Sequence, residues 1–215
     1  MAHGFTRKGK RYAARLEADE IAIITGVMEQ TRALLAPEVP PTGDPFHDLV
    51  AEIDGAFGPP PAAARPDWPQ SPALADGESA AQPLRDPALD RLLPDAYRGD
   101  PAVAAEFRRL TEQGLRQRKY ATLTAAMEAL RSGDEQGRLV LDQAQAQAVA
   151  VALTDTRLLL GERLGVRTEA DAAALSRLVD TEPDSPAAYA AAVYEFLTWL
   201  QESLTVALLG RRSFR

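Results

Sequence analysis

A chain of 215 residues, 46% hydrophobic and 26% charged, is long enough to bury a core as one large domain or two small ones. A formal charge of −7 argues against a surface that holds nucleic acid chiefly by neutralising phosphates, while leaving room for a local basic element. Cysteine is absent, so disulfides, thiolate metal sites and thiol redox switches are excluded within this chain. Only three of the 24 basic residues are Lys, which beside abundant Ala and Pro reads as coding bias rather than arginine-based recognition. MAHGFTRKGKRYAARL lacks an apolar signal core, and no uncharged apolar window reaches about 18 residues. A cytoplasmic protein without membrane association is expected.

Phe5–Lys8 and Arg11–Leu16 flank Gly9 and contain the strand formers Phe5, Thr6 and Tyr12, which predicts a short β-hairpin over 1–16. It carries Arg7, Lys8, Lys10, Arg11 and Arg15 with no acid before Glu17, so these five cations are candidate nucleic-acid contacts. The alternative is a hairpin that covers one end of a bundle. A helix over 18–36 follows, with Ile21, Ile24, Val27, Met28 and Leu34 on its buried side. Asp44-Pro45 makes an N-cap and first-turn proline for a short helix to about Asp54. Residues 55–85 hold seven prolines and almost no aliphatic periodicity, which predicts a flexible loop with Trp68 as its one anchor.

From Asp100-Pro101 a helix is expected to run to about Arg131, weakened in the middle by Gly114. Leu141–Val166 reads as the central helix, closed by Gly165, and Thr168 starts another that ends near Asp180. Ser185-Pro186 opens the last helix, which stops at Gly210 near Leu209. The expectation is a mainly α protein: one helical-bundle domain over 1–215 with a small N-terminal β-hairpin.

The central helix carries two ionisable side chains among apolar ones. Asp155 lies on a face with Ala144, Ala148, Val151, Ala152, Leu158 and Leu159, and Arg157 on the opposite one with Ala146, Leu153, Leu160 and Leu164. Roughly 200° apart, they cannot satisfy each other, so each must reach a different neighbouring helix. Asp155 is expected buried and paired with a cation, most simply from helix 101–131, and Arg157 with a carboxylate or backbone carbonyls. Asp155, Arg157, Glu162 and Arg163 are therefore expected as structural ion pairs.

Catalytic signatures are missing: no glycine-rich phosphate loop, no GxSxG, no HExxH, no Cys nucleophile. His3 and His47 are far apart and belong to no ligand motif. Asp155 and Glu162, seven residues apart, could in principle hold a metal or perform acid–base work, but lack the Glu-x-x-His partner of di-iron bundles. No cofactor or metal is expected. Helix 101–131 places Arg109, Glu112, Arg116 and Lys119 along one stripe, read either as a solvated face or as a partner-docking face. No helix-turn-helix is recognisable, and the one candidate second helix, EADAAALSRLVD, is acidic. The last helix has an unusually wide apolar arc, from Tyr189, Val193, Phe196, Leu197, Leu200, Leu204 and Leu208 to Ala192, Trp199 and Val206. Either it is a second central element, or its Trp199 edge meets a second copy of the chain.

The segments EFRRLTEQGLRQRK (106–119), TDTRLLLGERLGV (154–166) and YEFLTWLQESL (194–204) carry a resemblance. Together with the basic N-terminal strand, they resemble an actinobacterial family of unknown-function domains, the AosR-type oxidative-stress transcriptional regulators. Asp155, Arg157, Leu158, Gly161, Arg163 and Gly165 match its central pattern, while Val149 stands in place of Trp and Thr154 in place of Asn. The resemblance implies a non-enzymatic regulator that binds a protein partner, either transcription machinery or a Clp adaptor system for proteolysis, with DNA as a further, weak partner. It does not carry over thiol-based sensing, since this chain has no cysteine. Arg109, Arg116, Lys119 and Trp199 are the candidate partner contacts.

Overall fold

The computed structural model describes residues 2–36, 86–95 and 99–210, without the side chains of Pro101 and Ala102. The helix expected at 45–54, the Pro-rich stretch 55–85 with Trp68, and His47 lie outside the described residues. The chain opens with antiparallel strands β1 (His3–Lys8) and β2 (Arg11–Arg15). Then come α1 (Ala18–Leu34), α2 (Pro87–Leu92), α3 (Pro101–Arg131), β3 (Arg138–Leu141), α4 (Gln143–Arg163), α5 (Glu169–Thr181) and α6 (Pro186–Leu208). The protein is mainly α, with a small sheet at the N-terminal end.

The helix starts are written in local chemistry. Asp142 accepts from the Gln145 N–H at 2.9 Å, and the Gln145 side chain accepts in return from the Asp142 N–H at 2.9 Å. Thr168 and Asp171 form the same reciprocal box before α5. Asp86 with Pro87, and Ser185 with Pro186, combine an N-cap oxygen with a proline that lacks the N–H a first turn leaves unused.

The expected hairpin is part of a larger unit. β3 joins β2 antiparallel, with Tyr12 opposite Leu141 and Ala14 opposite Leu139, giving a sheet of order β1-β2-β3. Leu141 thus belongs to a strand, and the central helix begins two residues later and ends at Arg163 rather than Val166. The entry to β3 depends on Gly137. Its φ is 72°, and a Cβ there would lie 2.2 Å from the Leu16 carbonyl oxygen. Its own carbonyl accepts from the Leu16 N–H at 2.9 Å, tying the end of β2 to the start of β3.

α4 runs through the centre, packed on α1, α2, α3 and α6. Ala146, Val149, Ala152 and Leu153 are sealed from solvent. The inner face of the sheet (Phe5, Tyr12, Ala14, Leu139, Leu141) joins the same apolar cluster as Leu197, Leu200 and Leu204 of α6. β1 lies close on α6: the Phe5 N–H donates to Ser203 Oγ at 3.0 Å, and a Cβ on Gly4 would meet Ser203 at 2.8 Å. Several residues expected inside face solvent instead. Tyr189 is exposed, because the start of α6 turns Ala188, Ala190 and Ala191 inward. Ala144 and Val151 of α4 are exposed too, so the Asp155 face is only partly covered.

Candidate functional site

The four ionisable residues of α4 are all held by side chains from outside the helix. Asp155 is 2% exposed, and its Oδ1 accepts from Lys119 Nζ of α3 at 2.5 Å. Its Oδ2 is buried without a hydrogen-bond partner among the described residues. Burial pushes the Asp155 carboxyl above the usual carboxylate range, and the Lys119 ammonium offsets this only in part. Among the described residues Arg157 takes an amide oxygen rather than the expected carboxylate or backbone carbonyls. Its Nη1 donates to Gln201 Oε1 of α6 at 2.8 Å, and its guanidinium lies 5.3 Å from the Tyr194 ring centroid. Gln201 donates onward to Thr154 Oγ1 at 2.7 Å, so one amide links Arg157, α6 and α4. A long side chain can follow apolar surface to a neutral acceptor at the rim; the short Asp155 cannot.

Glu162 accepts from Arg91 Nε of α2 at 2.9 Å and from Arg167 at 3.0 Å, and Arg163 pairs with Asp86 beside α2. Burial raises the Glu162 carboxyl, but the two guanidinium groups outweigh it and hold the group below the usual range. Asp155 and Glu162 are thus engaged by different cations from different elements, about 10 Å apart along the helix at 1.5 Å per residue. Among the described residues no group of three His, Asp or Glu is placed to hold a metal ion.

On α3 the expected exposed stripe is corrected. Arg109 is exposed and pairs with Glu106, but Arg116 lies against Glu112 with only 12% of its side chain exposed, and Lys119 turns to Asp155. The reason is rotational register. Leu123, Ala126, Met127 and Leu130 face the core from the second half of α3, and the same side continues through Lys119, Arg116 and Glu112. The side about 180° away is then solvent-facing, and it is apolar. Val103, Phe107 and Leu110 are 51%, 48% and 67% exposed at i, i+4 and i+7 spacing. The charged residues mark the side continuous with the core, and the heptad spacing of these three is the sequence signal for the exposed apolar side. On α6, Trp199 stacks on Phe196 at 5.8 Å and remains 40% exposed.

The cations of the hairpin divide between two faces. Lys8 pairs with Arg11 and Arg15 with Arg138 across the strands, all four exposed. Lys10 lies in the turn. Arg7 shares a register row with buried Tyr12, donates to the Gly9 carbonyl at 3.0 Å and lies against Gly210 at the end of α6. Arg138 was not foreseen; its signal was the alternation Arg138-Leu139-Val140-Leu141, exposed and buried in turn. No helix among the described residues is long and apolar enough to cross a membrane.

Comparison with known proteins adds the lineage. The putative oxidative stress regulator AosR of Mycobacterium leprae is 36% identical over 143 residues, which are 60% of this chain and 62% of that protein. The oxidative stress regulators AosR of Mycobacterium bovis and Mycobacterium tuberculosis are each 33% identical over 145 residues, 61% of this chain and 62% of theirs. The match spans less than two thirds of these relatives' length. No solved structure matches the chain. The profile of the family described as a domain of unknown function, DUF2017, matches residues 2–208. Matched from β1 to the end of α6, this chain belongs to the DUF2017 family.

Proposed function

We propose that the chain is a non-enzymatic, cytoplasmic regulator of the oxidative-stress response that acts by docking onto a protein of the transcription machinery. The names of its relatives supply the response. The observation that carries the docking is the α3 stripe: Val103, Phe107 and Leu110 expose large apolar side chains on the side of the helix turned away from the core. Such i, i+4, i+7 anchors suit insertion into a groove of a partner protein. Arg109 is exposed and paired with Glu106, but it lies about 100° or more round the helix from the stripe and is left out of the docking face. The ion pair of Lys119 with Asp155 of α4 and that of Arg116 with Glu112 within α3 are assigned to architecture rather than to partner contact. With no cysteine in the chain, the oxidant signal reaches it through the partner.

Transcript profiling under peroxide in a strain lacking the gene tests this. Wild-type protein restores the oxidant-dependent transcripts, and a folded Phe107→Glu/Leu110→Glu variant does not. Full restoration by that variant, or no transcript change in the deletion strain, overturns the proposal.

A further inference from the structure

The outer face of the three-stranded sheet has a charge arrangement that its own stability does not explain. None of the residues of β1, β2 and β3 is acidic. In the observed register Lys8 stands directly opposite Arg11, and Arg15 directly opposite Arg138. Like charges in direct cross-strand positions destabilise a sheet. Asp134 relieves one of the two pairs, accepting from Arg138 Nε at 2.7 Å. The carboxylate that follows β3, Asp142, caps α4. Lys10 in the turn adds a further exposed cation beside Lys8 and Arg11.

Between the two cation pairs lies a low row, Thr6, Ala13 and Val140, in register across all three strands. Val140 is 56% exposed, so the row is open to solvent. Arg11 and Arg15 are four residues apart on β2, about 13 Å at 3.3–3.4 Å per residue, and neighbouring strands are about 4.8 Å apart. The result is two cation pairs flanking a smooth strip with no bulky side chain between them. The one aromatic ring among the described residues of the face is that of exposed His3, opposite Arg15, so the face offers no run of platforms for stacking successive unpaired bases.

We infer that the outer sheet face, through Lys8, Lys10, Arg11, Arg15 and Arg138, is a binding surface for the phosphate backbone of duplex nucleic acid. The small central row lets the flat strip approach the duplex, and the two pairs, about 13 Å apart, contact separate, non-adjacent phosphates. Recognition is of charge and spacing, without base reading, because no side chain of the row can reach or specify a base edge. The chain's overall charge of −7 opposes approach at long range, so binding is weak and confined to low salt. The surface is separate from the α3 stripe, and the inference does not depend on the docking proposed there.

The test uses the full chain and a fluorescein-labelled duplex of about 24 base pairs, read by anisotropy across a salt series starting near 25 mM. Two unrelated duplex sequences bind equally, with log K falling against log salt at a slope of about −3 to −4, as expected for about four phosphate contacts. Lys8→Gln/Arg11→Gln reduces affinity at least ~10-fold at the lowest salt and makes the slope shallower by about 2. Its Tm is unchanged or raised, because a repulsive pair is removed, which separates lost binding from lost fold. Arg109→Gln on α3 leaves binding as it was. No binding at the lowest salt, or binding that ignores the Lys8/Arg11 change, overturns the inference. So does stronger binding to a single strand of equal length. Competition by poly-glutamate, matched in charge concentration, as strong as by unlabelled duplex would instead assign the face to acidic protein segments.

Discussion

Lys119 of α3 donates to Asp155 of α4 at 2.5 Å, and of the two it is Lys119 that keeps contact with water: 19% of its side chain is exposed against 3% of the aspartate's. The pair is therefore asymmetric. Lys119→Ala strands a buried carboxylate and costs about 3–5 kcal/mol at neutral pH. Asp155→Ala leaves a lysine whose long stem can carry the ammonium to the rim, and costs about 1–3 kcal/mol. Urea denaturation of both variants checks the order; an Asp155→Ala loss larger than that of Lys119→Ala contradicts this geometry.

Two carboxylates on the same helix titrate in opposite senses. Burial raises the Asp155 pKa, so the fold favours its protonated form. That contribution is complete below the unfolded pKa and is lost as pH rises through the folded value. Glu162 is raised by burial, but Arg91 and Arg167 bring it net below its usual value. Its contribution is present above the unfolded pKa and is lost as pH falls through the folded one. As pH rises above about 4, Asp155→Asn should gain on wild type, whereas Glu162→Gln should lose ground as pH rises towards about 5 and run parallel to wild type above it. Parallel stability curves for all three proteins would refute both assignments.

Much of the fold is legible in local chemistry. Asp142, Thr168, Ser185 and Pro101 mark helix starts because capping and proline geometry are decided within a turn of the chain. β3 is not legible in that way: Arg138–Leu141 runs into the apolar opening of α4, and its partner strand lies more than a hundred residues earlier in sequence. The need of Asp155 for a cation follows from its apolar surroundings, but naming Lys119 requires knowing how α3 is rotated. The i, i+4, i+7 core spacing of Leu123, Met127 and Leu130 fixes that rotation, whereas the charge stripe does not. Arg157 defeats a charge-pairing rule because an amide and an aromatic ring take the place of a carboxylate, leaving its buried Nε without a hydrogen-bond partner among the described residues.

Glycine positions separate packing from propensity. Gly137→Ala drives a Cβ into the Leu16 carbonyl oxygen at a left-handed φ, and the sheet cannot shift without releasing the bond between Leu16 and Gly137. It should cost at least about 2–3 kcal/mol, with fluorescence reporting loosened packing around β3. Gly114→Ala, in the middle of α3 with nothing within 4 Å of the added methyl, should stabilise by about 0.5–1 kcal/mol. Thermal melts check both, and a destabilising Gly114→Ala would mean that α3 is not a regular helix there.

The central claim is that the apolar stripe of α3 meets a protein. A photo-crosslinking amino acid placed at Leu110, which is 67% exposed, tests it in cells under peroxide, with the equally exposed Leu209 at 66% as the control position. The account predicts one discrete crosslinked protein from position 110, a component of the transcription machinery, and none from position 209. A protease adaptor captured in its place would move the regulator to protein turnover and overturn the transcriptional assignment. Absence of a crosslink at 110, or the same products from both positions, would contradict docking through α3.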